Sequence, residues 1–436
     1  MKVINIHSPA DSKFKTSVKV KNRNFGKLTR FLPSIILTEE TDNTITFLMA
    51  YRIWKREQTP SKTVKNPGTE GHPWYNRWGY SSFDGTAFAK LLLDRKTNQI
   101  SIIEDKISSI GNSKIDMRIL QVPYKPNELF ATYNTFGKLN PIQRRNNYNK
   151  FDRKINCFYL LDKNVVNYNP SNNQMKNYDV SPANHKASHC TFQNHATITL
   201  NKNLKPIITQ KKLVCPEHHK RVEKNISMYL DGNNQVGYHY SITPWVFFKP
   251  NCEKQIFEKS IFEKVAEYYD PSPTDYFSKN VQFSCSTPLI PYQKNCLIGA
   301  GHFKIHYDEL ESLPKKSPAY CFCKKLLKEL KIPSFSAEYE GVIHYELIYG
   351  TFIYTVNKQT LRLEKCSNCF ITFSDKPIAL MFPCGLTSTK NNDFYLSYHE
   401  NDIVMKMLHI SLKEMRQLLV NDSSISPKDL KFQIMK

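Results

Sequence analysis

The stretch Met381–Ile410, MFPCGLTSTKNNDFYLSYHENDIVMKMLHI, indicates how this chain folds. It holds two short runs rich in aromatic and aliphatic residues around a polar turn at 390–392, and a third apolar run begins at Ile403. Short runs of this kind, bounded by Asn, Asp and Gly, predict antiparallel strands. The second run ends at Tyr398, and Asp402 follows before the next strand, so this strand end can offer polar groups to a ligand.

The same pattern of short strand-like runs recurs through most of the 436 residues. Helical spacing is confined to a few segments, among them 253–269 and 411–420. Many short strands with few helices favour a sandwich, a barrel or a propeller. The spacing of paired strands suggests roughly four to six similar antiparallel units, which favours the propeller.

The chain is strongly basic, with a net charge of +22 from 61 Lys and Arg against 39 Asp and Glu. Such an excess could attract nucleic acid, anionic membranes or phosphorylated substrates. The basic residues are spread along a sequence rich in Lys, Asn, Ile and Tyr, and no Lys/Arg-rich block or arginine–aromatic motif stands out. We therefore attribute the charge to composition and expect no dedicated nucleic-acid site.

Two sequence features concern the compartment. No apolar run approaches the ~20 residues that cross a bilayer, so we expect no transmembrane segment. The first residues, MKVINIHSPADSKFK, lack the apolar region of a secretory signal. We therefore expect a cytoplasmic protein.

The 11 cysteines are an odd number, which favours reduced thiols over a disulfide framework. Cys366 and Cys369 have the spacing of metal ligands, and Cys321 and Cys323 could supply a second pair. The latter two lie in a helix-like segment, so ordinary buried thiols are the preferred interpretation. We expect neither a metal nor another cofactor.

Four segments each place a polar cluster at a strand end or turn between apolar runs. In a propeller, equivalent strand ends of successive blades converge on the central axis, so these clusters would form one polar funnel. The residues concerned are Asp116, Arg118, Lys224, Asn225, His302 and Asp402. Each also has a structural interpretation: a surface ion pair for Asp116 and Arg118, and turn residues or a turn-adjacent hydrogen bond for the others.

A funnel of this composition suits glycosyl transfer. An inverting reaction needs one carboxyl group to move a proton at the glycosidic oxygen and a nucleophile on the opposite face of the sugar. Asp, Asn and His can bind sugar hydroxyls, and Arg and Lys can bind a phosphate or nucleotide leaving group. Aromatic residues such as Tyr133, Tyr229 and Tyr240 could line the sugar faces.

These segments resemble the β-mannoside phosphorylases of glycoside hydrolase family 130 and the related β-1,2-mannosyltransferases. The stretch Met381–Ile410 resembles the final blade of that family, which carries a Tyr-rich strand ending in Asp. Three further segments resemble family motifs: Ile-Asp-Met-Arg at 115–118 the Glu-Asp-Pro-Arg motif, 223–225 the Lys-Asn motif, and 45–54 the opening LxxYR strand. Ser286-Thr-Pro with 299–302 resembles the blade after the Lys-Asn motif.

The resemblance implies an all-β, five-bladed β-propeller with a few helical insertions. We expect it to span 44–411, with an N-terminal extension at 1–43 and a C-terminal helical tail at 412–436.

The resemblance also implies inverting mannosyl transfer between an activated donor, mannose 1-phosphate or a sugar nucleotide, and a mannoside or related sugar acceptor. Asp116 takes the general acid/base position. The substrate-binding positions are Arg118, Lys224, Asn225, His302, Tyr398 and Asp402, with Tyr398 and Asp402 facing Asp116 across the pocket. Met117 replaces the family proline, Ile115 the acidic residue before Asp116, and Ile226 an aromatic residue. Because of these departures, a transferase-like member fits better than a strict phosphorylase. The alternative is a non-catalytic propeller that binds glycans or a protein partner.

Overall fold

The structure is a computed structural model. It describes residues 1–7, 17–20, 23–27, 29–55, 83–106, 114–138, 189–213, 225–269, 281–306, 347–367, 369–372, 381–400, 404–426 and 431–434, with a few short pieces between 315 and 343.

Five antiparallel sheets stand in a ring and form the blades of a five-bladed β-propeller, which confirms the predicted fold. The chain opens with β1 (Lys2–His7) and the hairpin β2 (Ser17–Val20) and β3 (Arg23–Lys27). The first blade consists of β4 (Thr29–Glu40), β5 (Thr44–Lys55), β6 (Phe83–Asp94) and β7 (Ile100–Lys106). The second consists of β8 (Lys114–Gln121), β9 (Glu128–Lys138), β10 (His189–Leu200) and β11 (Pro206–Leu213).

The third and fourth blades follow. The third consists of β12 (Ser227–Leu230), β13 (Val236–Ser241), β14 (Val246–Phe248) and β15 (Lys254–Ile256), and helix α1 (Ile261–Tyr269) comes after it. The fourth is built from β16 (Val281–Cys285), β17 (Ile290–Gln293), β18 (Cys296–His306), β21 (Leu347–Asn357), β22 (Leu363–Ser367) and β23 (Cys369–Thr372). The small hairpin β19 (Glu338–Tyr339) and β20 (Val342–Ile343) precedes β21.

The fifth blade combines both ends of the chain. It consists of β24 (Met381–Ser388), β25 (Phe394–Glu400), β26 (Val404–Ile410) and, as its outer strand, β1, which pairs antiparallel with β26. After it come helix α2 (Leu412–Leu418), β27 (Leu419–Asn421), a 3₁₀ turn (Asp422–Ser424) and β28 (Lys431–Ile434). Because β1 fills the open edge of β26, the ring closes without leaving that edge unpaired.

This closure changes the expected boundaries. The segment 1–43 contains β1 and also β4, the first strand of the first blade, so it is largely part of the propeller. The segment 412–436 contributes β27 and β28 to the sheet of the fourth blade. The sequence did not reveal the place of β1, because it pairs with a strand at the other end of the chain and leaves no local pattern.

The predicted helices are confirmed in shortened form. Of 253–269 only Ile261–Tyr269 is helical, because Lys254–Ile256 pairs with β14 as an edge strand. Helix α2 begins after Ser411, which forms a reciprocal capping box with Glu414. No helix in the described part of the chain is long and apolar enough to span a bilayer.

The core lies between adjacent blades rather than inside any one sheet. In β5, Phe47 and Met49 pack toward the fifth blade, while Leu48 and Ala50 pack toward the second. A strand covered on both faces reads as a continuous apolar run, which accounts for the segment ITFLMAYRI.

The first strands of the first, second and fifth blades approach closely around the axis. Gly385 on β24 leaves no space for a side chain, since an added Cβ would lie 2.4 Å from the main-chain nitrogen of Ile35. The main-chain N–H of Ile119 donates to Ser34 Oγ at 3.1 Å, and Ser397 Oγ donates to the carbonyl of Pro33. These links fix the relative positions of the strands that carry the site.

Candidate functional site

Three consecutive blades carry a left-handed residue just before their first strand or within its first four residues. Leu32 has φ 54°, Asp116 φ 55° and Asn225 φ 61°. Leu32 and Asp116 both lie where the strand pairing shifts register. A bulge of this kind re-aims a side chain, and non-glycine residues in this conformation cluster at active sites. The backbone thus turns Asp116 out of the regular strand alternation.

The carboxylate of Asp116 receives a hydrogen bond on each oxygen. Arg52 Nη1 on β5 donates to Oδ1 at 2.9 Å, and Asn134 Nδ2 on β9 donates to Oδ2 at 3.0 Å. The ion pair is largely buried, with 12% of the Arg52 side chain and 20% of the Asp116 side chain exposed. Donors on both oxygens, one of them charged, suit the ionised carboxylate.

Arg118 links the second blade to the fourth. Its guanidinium is buried, and Nε donates to the main-chain carbonyl of Ser286 at 2.6 Å, while Nη1 donates to the carbonyl of Met117 at 3.2 Å. Ser286 Oγ lies 2.7 Å from Nδ1 of His302. The structure therefore brings together three of the predicted site residues, Asp116, Arg118 and His302.

Phe382 on β24 lies at the meeting point of these blades. The guanidinium carbon of Arg118 is 5.5 Å from the centre of its ring, and the ring of His302 is 4.3 Å away. His399 on β25 contacts Phe382 at 5.4 Å and Phe31 at 5.8 Å between ring centres. The sequence pattern did not predict Phe382 or His399 as site residues, although both lie in the stretch Met381–Ile410.

Tyr398 does not face Asp116, which corrects the expectation. Its side chain is fully buried in an apolar cluster with Leu396 and Leu408. Because neighbouring residues of a strand point to opposite faces, it is His399 that lies on the side of the axis.

The tyrosines proposed to line the sugar also lie elsewhere. Tyr133 and Tyr229 are fully buried in the cores between blades. Tyr240 is half-buried and packs edge-on against Phe248 at 5.0 Å. Instead of these tyrosines, the half-buried Phe382 contacts Arg118 and His302.

His399 is an uncharged group among charged ones. Burial first, and then the positive charges of Arg118 and Arg52, lower its pKa to about 3 against the opposing charge of Asp116. At neutral pH the imidazole is therefore neutral and can exchange hydrogen bonds without adding charge.

Three further predicted site residues are Lys224, Asn225 and Asp402. Lys224 and Asp402 lie outside the described residues, and Asn225 is half-buried just before β12. The described part of the chain contains no group of three or more His, Cys, Asp or Glu side chains arranged to hold a metal ion. Cys366 is buried, and burial raises the pKa of its thiol.

Comparisons with known proteins find distant structural likeness. No protein-family model and no curated protein matches the sequence. Similar solved structures include a mannose phosphorylase from Leishmania mexicana in complex with phosphate ion (10% identity, TM-score 0.40, 94% of this chain and 90% of that one). A GDP-Man-dependent mannosyltransferase from the same organism has 8% identity and a TM-score of 0.40, over 88% and 85%. A hypothetical protein from Leishmania major has 6% identity and a TM-score of 0.41, over 100% and 96%.

The two named enzymes are of the kind that the sequence segments resemble. A likeness at these TM-scores carries no argument about activity.

Proposed function

We propose that this protein transfers a mannosyl residue with inversion, from mannose 1-phosphate or a sugar nucleotide to a saccharide acceptor. The observation that supports this most is the position of Asp116. It lies on a bulged strand in the left-handed conformation, with Arg52 and Asn134 on its two oxygens and Arg118 two residues away. A single carboxylate, fixed in direction and set among cationic groups, meets the requirements of inverting transfer from an anionic donor.

In the direction of synthesis, Asp116 acts as a general base. Its ionised carboxylate takes the proton of the acceptor hydroxyl while that oxygen forms the new bond to C1 of mannose. The bond between C1 and the donor phosphate oxygen breaks, and the phosphate leaves with the electron pair. In the reverse direction, protonated Asp116 returns the proton to the glycosidic oxygen, as microscopic reversibility requires.

In this proposal the cationic side chains bind the phosphate of the donor, and other polar side chains bind the sugar. Two main-chain carbonyl groups hold the guanidinium of Arg118 in one orientation. A guanidinium group binds phosphate oxygens well, so in this proposal Arg118 binds the phosphate of the donor. Lys224 adds a second positive charge for the leaving group. His302, Asn225 and Asp402 bind sugar hydroxyls, and neutral His399 completes the wall beside Phe382.

A donor and acceptor screen tests the proposal. The protein is incubated with α-mannose 1-phosphate or GDP-α-mannose and a panel of mannosides and related saccharides, and products are identified by mass and by the anomeric proton signal in NMR. We expect a β-linked product from the α-linked donor. An α-linked product would contradict inversion, and sugar binding without any product would favour the non-catalytic propeller.

A further inference from the structure

A row of buried polar side chains runs outward from Asp116 across the second blade. It consists of Thr132 and Asn134 on β9 and Gln193 on β10, which are 0%, 1% and 2% exposed. Asn134 and Gln193 lie directly opposite each other in the sheet, and Thr132 is on the same face two residues earlier. The hydrogen bond from Asn134 to Asp116 places this polar row at the proposed catalytic group.

The polar row faces the third blade. Thr132 lies opposite His195, whose ring is 5.9 Å from that of Tyr238 on β13. Phe130, two residues before Thr132, packs against the apolar cluster that contains Tyr238. The contact between the second and third blades is therefore polar at the row and apolar at Phe130.

One oxygen of each side chain in the polar row has no hydrogen-bond partner within the described part of the chain. These are Oγ1 of Thr132, Oδ1 of Asn134 and Oε1 of Gln193. Buried polar atoms in native proteins are nearly always paired, because an unpaired one loses its water without compensation. Three oxygens in one row beside Asp116, each without a partner among the described residues, reduce the stability of the free protein and call for a ligand that would pair them.

We propose that the polar row is a subsite for the hydroxyl groups of the neutral acceptor sugar. Amide oxygens only accept hydrogen bonds and a threonine hydroxyl can accept one, so the row matches a ligand rich in O–H donors. Inorganic phosphate, whose oxygens are mainly acceptors, does not match it. The inference deepens the proposed function and rests on it, since the row would hold the sugar whose hydroxyl Asp116 deprotonates.

The subsite predicts opposite effects on stability and on binding. Thr132→Val and Gln193→Met keep the approximate size of each side chain and remove the unpaired oxygen. Each variant should therefore raise Tm by about 1–3 °C, because an unpaired buried oxygen costs about 1–3 kcal/mol and about 1 kcal/mol shifts Tm by about 1 °C in a chain of this size. Each should also weaken binding of the sugar, because a hydroxyl of the ligand loses its partner.

Thr355→Val is the matched control. Thr355 on β21 of the fourth blade is likewise buried with an unpaired Oγ1 within the described part of the chain. It lies opposite Ile298 and Lys365, away from the polar row. This variant should raise Tm and leave sugar binding unchanged.

The experiment measures Tm and, by calorimetry, the binding of methyl β-D-mannopyranoside, β-1,2-mannobiose and inorganic phosphate to the wild type and the three variants. We expect Thr132→Val and Gln193→Met each to weaken sugar binding about five- to tenfold, with phosphate binding unchanged. Wild-type sugar affinity in both variants would overturn the subsite and leave the proposed function standing. A lower Tm in both would show that the oxygens are paired in the free protein and would overturn the subsite as well. A wild type that binds neither sugar would overturn the proposed function together with this inference.

Discussion

Acid should weaken this fold through two buried histidines, His239 and His399. The pKa of each is lowered to about 3, chiefly by burial, and at His399 the charges of Arg118 and Arg52 are part of the cause. In the unfolded chain a histidine has a pKa of about 6.5. Between these values the unfolded state binds a proton that the folded state excludes, so stability is complete above about pH 6.5 and is lost as the pH falls toward 3.

The size of the loss follows from these pKa values. Between about pH 7.5 and about pH 5.5, each histidine should reduce the free energy of unfolding by about 1.4 kcal/mol, and both together by about 3 kcal/mol. The surroundings of the two rings differ: His239 stacks on Phe247 at 4.1 Å and bonds to Tyr354 at 3.0 Å, away from the charged site. The two residues therefore serve as matched controls for each other.

Urea unfolding of the wild type, His399→Gln and His239→Gln at both pH values checks the prediction. Glutamine does not titrate, so each variant should lose about 1.4 kcal/mol less stability than the wild type on acidification. Absolute stability can change through lost packing, but the difference between the two pH values isolates the titration. A variant that loses as much as the wild type would show that its histidine is protonated in the fold and would refute the reasoning.

Three further predictions concern packing and the site. Gly385→Ala should lower the free energy of unfolding by about 1–3 kcal/mol in thermal denaturation, because its Cβ would meet the Ile35 main chain, which cannot move aside as a flexible side chain would. Ile6→Ala, at a fully buried position of β1, should cost about 2–5 kcal/mol in urea, whereas Val3→Ala at a position 38% exposed should cost far less; equal effects would argue against closure of the ring by β1. Phe382→Leu keeps the apolar bulk but removes the ring, and calorimetry should show sugar binding weakened up to about tenfold; unchanged affinity would place the sugar elsewhere.

The parts of the fold that the sequence could predict are those with a local signature. Short apolar runs broken by Asn, Asp and Gly indicated a propeller because each blade is a meander of neighbouring strands. Asp116, Arg118 and His302 were singled out because they interrupt apolar runs, and the structure places them within β8 and β18 rather than at strand ends. The pairing of β1 with β26 has no such signature, which is why the N-terminal boundary was placed too late.

Side-chain direction is what the sequence could not supply. All seven residues of β25 are buried, so no alternation of polar and apolar residues shows which of Tyr398 and His399 faces the axis. A shift of one residue exchanges the two faces of a strand. The sequence pattern placed Tyr398 on the face toward the axis, where the structure has His399. Asn134 was missed for a related reason, since it lies within the apolar run LFATYNTF and meets Asp116 only through the bulge in β8.

The rate of product formation by Asp116→Asn tests the role of Asp116 most directly. Asparagine adopts the left-handed conformation readily and has nearly the same size, so the bulge should persist. It cannot accept the proton of the acceptor hydroxyl. The proposed mechanism predicts that the rate falls at least ~10²-fold while the variant, checked by its unfolding transition, stays folded and still binds the acceptor sugar. A folded Asp116→Asn protein that forms product within a few-fold of the wild-type rate would contradict it.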